Sequence, residues 1–198
     1  MNHISSFGQF ISESRINEST DLIRSNEDNL IIVSDYVKKH IKSHNELGVG
    51  SIFKKGITDG EILRMVEKVK NEVNPSQSAY QIQVSEIGYD LVLPYDEAMR
   101  LDGAEESTTE KEEGPNTITV PLVKTSQSLE DFSTENLTLI IRPSNPQFLP
   151  DDIKSDPVIM EKIEEGKCYS LLTAFPGNPN IPKASEWNGM YAVIVPNL

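Results

Sequence analysis

Residues 29–47, NLIIVSDYVKKHIKSHNEL, join an apolar run directly to a basic helix. NLIIVS at 29–34 is uninterrupted and short, which predicts a strand. Ser34 is a good N-cap, and Asp35 stands in the first turn, where the helix dipole favours an acid. Tyr36, His40 and His44 recur at i, i+4 and i+8 and share one face, while Val37 and Ile41 point to another. Leu47-Gly48 predicts the helix end, because glycine accepts the left-handed conformation there. A strand and a helix with one apolar stripe must pack against something, and the rest of the chain supplies it.

Downstream, TDGE at 58–61 has the form of a capping box, and Ile62, Met65, Val66, Val69 and Val73 recur at helical spacing. Together they predict a helix over 58–73, closed by Pro75. The pattern then turns to strands. YQIQVSEIGYDLVLP (80–94) alternates and then runs apolar. NTITVPLVKT (116–125) reads as a strand whose Pro121 suggests a sheet edge. NLTLIIRP (136–143), CYSLLTAFPG (168–177) and MYAVIVP (190–196) are further strands. The last helix signal, SDPVIMEKIEEGK (155–167), opens on an Asp-Pro start, with Asp156 capping and Pro157 in the first position. The stretch 102–116 is poor in apolar residues and rich in acids, and reads as a mobile loop. This order predicts an α+β fold, N-terminal helices packed on one face of a mainly antiparallel sheet of four to six strands. Residues 1–28 are polar apart from Ile4, Phe7, Phe10 and Ile11 and read as a flexible leader and linker. Residues 29–198 read as a single domain.

Composition narrows the function classes. The 198 residues carry a formal charge of −13 and a single cysteine, Cys168. An internal disulfide and a thiolate metal cage are excluded, and a reducing compartment is expected. No apolar run reaches the ~20 residues a membrane helix needs, so no membrane partner is expected. The overall acidity argues against general coating of nucleic acid. Yet residues 38–55 hold five lysines (38, 39, 42, 54 and 55) against Glu46, a net +4, with two histidines among them. Lysines can hold a phosphate while an imidazole of pKa near 6.5 moves protons. The competing reading is a solvated amphipathic helix with surface histidines. His40 and His44 also match zinc spacing, but no third ligand is evident and Ile41 stands where a zinc hydrolase would carry its glutamate. No metal and no cofactor are expected.

Two later features fit an anion site. Ser170 and Thr173 lie near the end of the SLLTAFPG strand, where simple alternation puts Ser170, Leu172 and Ala174 on one face and Leu171 and Thr173 on the other. A hydroxyl there can hold a phosphate oxygen or make an ordinary cross-strand pair. Arg142, ending TLIIRP, can grip a phosphate or pair with Asp151 or Asp152.

NLIIVSDYVKKHIKSHNEL, then KKGITDGEILRMVEKV, then SLLTAFPG, together resemble the barnase/EndoU/colicin/RelE-like nucleases, most nearly the branch found in phage proteins and bacterial polymorphic toxins. The resemblance covers about residues 29–198, with gaps. It implies two helices on a four-stranded antiparallel sheet and a metal-independent endoribonuclease. In such an enzyme the RNA 2′-hydroxyl attacks its own phosphate. His40 or His44 serves as general acid/base. Lys55, Arg142 and Thr173 bind or polarise the phosphate, with Ser170 and Lys39 in support. The implied partners are an RNA substrate and an immunity or host protein. HISSFGQFISE at 3–13 is similar to leaders of large tailed-phage proteins, in which an Ile/Leu-x-Glu triplet is cut. ISE at 11–13 matches it and makes Glu13 a candidate processing site. These resemblances imply a host cytoplasmic or virion location. The alternative function is a non-enzymatic protein whose acidic surface, notably 102–113, imitates nucleic acid and occupies a basic host protein.

Overall fold

A computed structural model describes residues 20–44, 50–113, 116–179 and 184–197. The leader with Glu13, and Leu47-Gly48, lie outside them. The fold is α+β, with two sheets. Ten strands are described: β1 Asp21–Arg24, β2 Leu30–Val33, β3 Ile52–Phe53, β4 Ala79–Tyr89, β5 Val92–Pro94, β6 Glu105–Glu113, β7 Asn116–Ser128, β8 Ser133–Pro143, β9 Cys168–Pro176 and β10 Tyr191–Asn197. Five α-helices are described: α1 Asp35–Lys42, α2 Asp59–Val69, α3 Tyr95–Ala98, α4 Asp151–Lys154 and α5 Pro157–Glu164. The larger sheet has the order β1-β2-β9-β8-β4-β3 and the smaller β5-β10-β7-β6. All pairs are antiparallel except β2 with β9 and β7 with β10.

The predicted caps form. Ser34 accepts a hydrogen bond from the Val37 amide. Thr58 and Glu61 bond each other's backbone amides to open α2. Asp156 accepts from the amides of Val158 and Ile159. On one face of the larger sheet, Val37 and Ile41 of α1 and Ile62, Val66 and Val69 of α2 pack on Leu137, Leu139, Ile141, Tyr169 and Leu171. The middle of β8, 137–141, is buried or half-buried on both faces, so it shows no exposed polar alternation there. Its Thr138 is fully buried on the other face and donates to the Gly177 carbonyl.

Four expectations need correction. Helices cover both faces of the larger sheet, since Leu30, Ile32 and Cys168 bury against Ile153 and Ile159 of α4 and α5. The linker expected up to residue 28 contains β1, which pairs with β2 through Ile23↔Ile31 and its neighbours. The expected acidic loop contains β6, paired with β7 along its whole length. Its Ser and Thr residues alternate against Val120 and Leu122, and nine ladder positions outweigh its low strand propensity. Pro121 is not on an edge strand, because β7 lies between β10 and β6. Its missing N–H is tolerated because the ladder with β10 begins one residue later, at Leu122↔Val193.

Asp90 sits where the chain leaves β4 for β5. Its Oδ1 accepts from Ser51 Oγ (3.0 Å) and the Val92 amide (3.5 Å), and its Oδ2 from the Asn178 amide (3.1 Å). One carboxylate thus ties the approach to β3 and the end of β9 to the first strand of the second sheet. Burial pushes its pKa up from 3.8, against the pull of those three donors. Gly177 makes room for it: at φ +112°, a Cβ there would lie 2.4 Å from Asp90 Cγ. Gly88 is needed for space alone, since a Cβ would meet the Ile52 carbonyl oxygen at 2.2 Å and Pro176 Cγ at 2.5 Å.

Gly88→Ala therefore lowers stability by about 2–4 kcal/mol, whereas Gly60→Ala, with nothing within 4 Å of the added methyl in α2, raises it by about 0.5 kcal/mol; urea unfolding of the two variants checks the contrast. Asp90→Asn sets an amide where two backbone donors converge and costs about 1–3 kcal/mol. Because the folded carboxyl titrates above its unfolded value, wild type gains stability relative to D90N as the pH falls from 7 toward 3.8. Denaturant midpoints of the pair across that range measure the widening gap.

Candidate active site

β2 runs beside β9 only as far as Ile32↔Ser170. The chain then turns into α1, which lies against β9. Past the helix, Ser43 caps by donating its amide to the carbonyls of Lys39 and His40, and its Oγ to the His40 carbonyl. The His44 amide donates to the Ile41 carbonyl, and the His44 carbonyl accepts from the Phe53 amide of β3 at 3.0 Å. His44 is thereby held on both sides of its Cα. Its half-buried imidazole points across the fold, with Nε2 3.4 Å from Thr173 Oγ1. The exposed His40 ring stands edge-on to it, centroids 4.9 Å apart and planes at 73°. One imidazole thus approaches a hydroxyl of the late strand, with a second imidazole beside the first.

The strand itself differs from simple alternation. Ile140 pairs with Thr173 and Ile141 with Leu171, so Leu172 is an extra residue in β9. Arg142 pairs with Ser170, and paired residues share a face. Since Ile140 and Arg142 are two apart, Ser170 and Thr173 fall on the same face as both. Leu171 and Ala174 both go to the core shared with α1 and α2. Ser170 and Thr173, expected on opposite faces, therefore share one, because the extra residue moves Thr173 off the face of Leu171. Ser170 Oγ is engaged with Ser144 Oγ at 2.7 Å, and Ser144 Oγ also accepts from Cys168 Sγ at 3.4 Å. Exposed Arg142 makes no ion pair with Asp151 or Asp152; Asp151 pairs with Lys154 instead. Two strand positions, about 7 Å, separate Arg142 from the level of Thr173.

The basic stretch is less positive than its sequence suggests. The Lys38 side chain is only 4% exposed and lies 2.7 Å from Asp21 and 2.5 Å from Asp35. Lys42 pairs with Asp59 at 2.6 Å, and Lys54 reaches Glu130 and Glu86 at 3.3 and 3.5 Å. Lys39 and Lys55 are exposed. Asp21, Asp59, Glu86 and Glu130 were not foreseen as partners, because a charge count along the chain is blind to acids delivered from distant elements. Among the described residues no group of three or more His, Cys, Asp or Glu is placed to hold a metal ion. None of the described helices is long and apolar enough to cross a membrane. Comparison of the chain with known protein families, characterised proteins and solved structures found no match.

Lys38 clamps β1 to α1. Burial weakens the ammonium, but its bonds to Asp21 and Asp35 outweigh that and raise its pKa above 10.5. A raised folded pKa stabilises the protein at pH below about 10.5, and the effect fades as pH climbs through the folded value. Lys38→Met is thus expected to cost about 2 kcal/mol at pH 7–9, leaving two carboxylates unpaired. Thermal melts of wild type and variant should converge as the pH rises past 10.5 and through the raised folded pKa.

Proposed function

We propose that the protein is a metal-independent endoribonuclease whose proton-transfer groups are His40 and His44. The observation that carries this reading is the approach of His44 Nε2 to Thr173 Oγ1, 129 positions apart in sequence, beside a second imidazole. Cleavage of RNA by its own 2′-hydroxyl needs one group to take that proton and another to protonate the leaving 5′-oxygen. Adjacent histidines can divide those tasks without a metal. Thr173 is suited to donate to a non-bridging phosphate oxygen as charge builds on it. Of the five lysines in the basic stretch, Lys39 and Lys55 have solvent-exposed side chains, and Lys55 is the one suited to meet phosphate. Lys55 follows two residues after the Phe53 amide that holds His44. Arg142 supports the same role from the neighbouring strand. Ser170, engaged by Ser144, orients that strand rather than meeting substrate.

The test is cleavage of mixed cellular RNA in EDTA. Wild type is expected to cut it, leaving 2′,3′-cyclic ends. His44→Ala and His40→Ala should each lose about 10²-fold or more in rate, and Thr173→Val a smaller factor, with melting curves unchanged. Absence of cleavage by wild type, or full activity in both histidine variants, rejects the proposal.

A further inference from the structure

The two sheets end in four edges among the described strands. Three are short: β1 has four residues, β3 two and β5 three. The fourth, β6, has nine and pairs only with β7. A long unpaired edge presents a row of main-chain donors and acceptors that can template another strand.

Pro121 shows which groups face outward. It stands opposite Thr108. In an antiparallel ladder, pairs alternate between those that exchange both N–H···O bonds and those whose N–H and C=O groups turn away from each other. Proline has no N–H to exchange, so Thr108 and Pro121 form a pair of the second kind. Alternation then directs the N–H and C=O of Glu105, Ser107 and Thr109 at β7. Those of Glu106, Thr108 and Glu110 point to the outer rim, a two-residue repeat that matches an incoming strand.

The side chains beside this rim choose the occupant. Glu105, Glu106 and Glu110 are exposed and Asp102 precedes them; over its whole length β6 carries five glutamates against one cation, Lys111. A second copy of β6 would set glutamates against glutamates, which is destabilising across strands. A strand bearing lysine or arginine would meet a strand of net charge opposite to its own. We propose that the outer rim of β6 receives an extended, lysine- or arginine-rich segment of a protein partner as a fifth strand of the smaller sheet. Main-chain bonds supply the affinity, and the glutamates supply the choice of a basic segment over an acidic one. The inference stands apart from the histidine site, since β6 lies in the smaller sheet and α1 packs on the larger one.

The probe is a fluorescein-labelled ten-residue peptide of alternating lysine and valine, titrated with the full chain and followed by anisotropy. A second peptide of the same sequence carries N-methyl groups on alternate amides, keeping the charge but blocking the edge. Thr108→Pro removes one rim N–H while leaving all the charge and the β7 ladder. The double variant Glu106→Gln/Glu110→Gln does the reverse. The expected result is saturable binding of the plain peptide. It should weaken tenfold or more in T108P and with the methylated peptide, and lose much of its salt dependence in the glutamine variant. Amide shifts in 15N spectra should concentrate in residues 105–113. Equal binding of the plain and methylated peptides means charge attraction alone and overturns the proposal, as does the absence of binding by the plain peptide. Because the two peptides are compared on the unaltered chain, that comparison holds whether or not T108P folds.

Discussion

β9 is an interior strand, and an interior strand must satisfy the main-chain groups of two neighbours at once. It does so with β8 along its whole length and with β2 only at its start. Where β2 stops, α1 and the turn at Ser43-His44 take its place. At that same level β9 carries one residue more than β8, Leu172, which is left 42% exposed. The extra residue re-aims everything after it. Thr173 leaves the core face and becomes available to His44, while Ala174 takes the core position in its stead. The candidate site therefore rests on a change of register rather than on an unusual residue.

The site's electrostatics also belong to the fold rather than to the helix. Lys38 looks like part of a basic patch, but it is a buried clamp between two carboxylates. Lys42 and Lys54 meet acids from α2, β4 and the turn before β8. Lys39 and Lys55 of the stretch are exposed, and of these Lys55 is the cation the proposal leans on. Such an arrangement suits a substrate held by a few phosphates more than one held along a whole groove, since each lysine already in an ion pair releases fewer counterions on binding.

The two sheets are joined through polar as well as apolar contacts. Ile52, Leu91, Val123 and Ile194 form a shared core, but Asp90 fixes where the chain crosses from one sheet to the other. A half-buried carboxylate with three donors specifies that crossing more narrowly than an apolar contact, because each donor has a direction. The cost is the desolvation that raises its pKa. Gly177 and Gly88 are the spaces this junction demands.

Local features were legible in the residues: the Ser34 cap, the Thr58–Glu61 box, the Asp156-Pro157 start, the apolar stripes of α1 and α2, and the β8 and β9 runs. Each depends on atoms within a few positions along the chain, so spacing and residue type suffice to specify it. His44 and Thr173 were both singled out from the residues, but the strand face that brings Thr173 to His44 was not, because it depends on the extra residue Leu172. The bulge at Leu172, the acids opposite Lys38, Lys42 and Lys54, the strand in the acidic stretch 105–113 and the division into two sheets were settled only by tertiary structure. Register, ladder partners and charge compensation arise between segments tens of residues apart, and their free energies come from neighbours that a one-dimensional pattern does not contain.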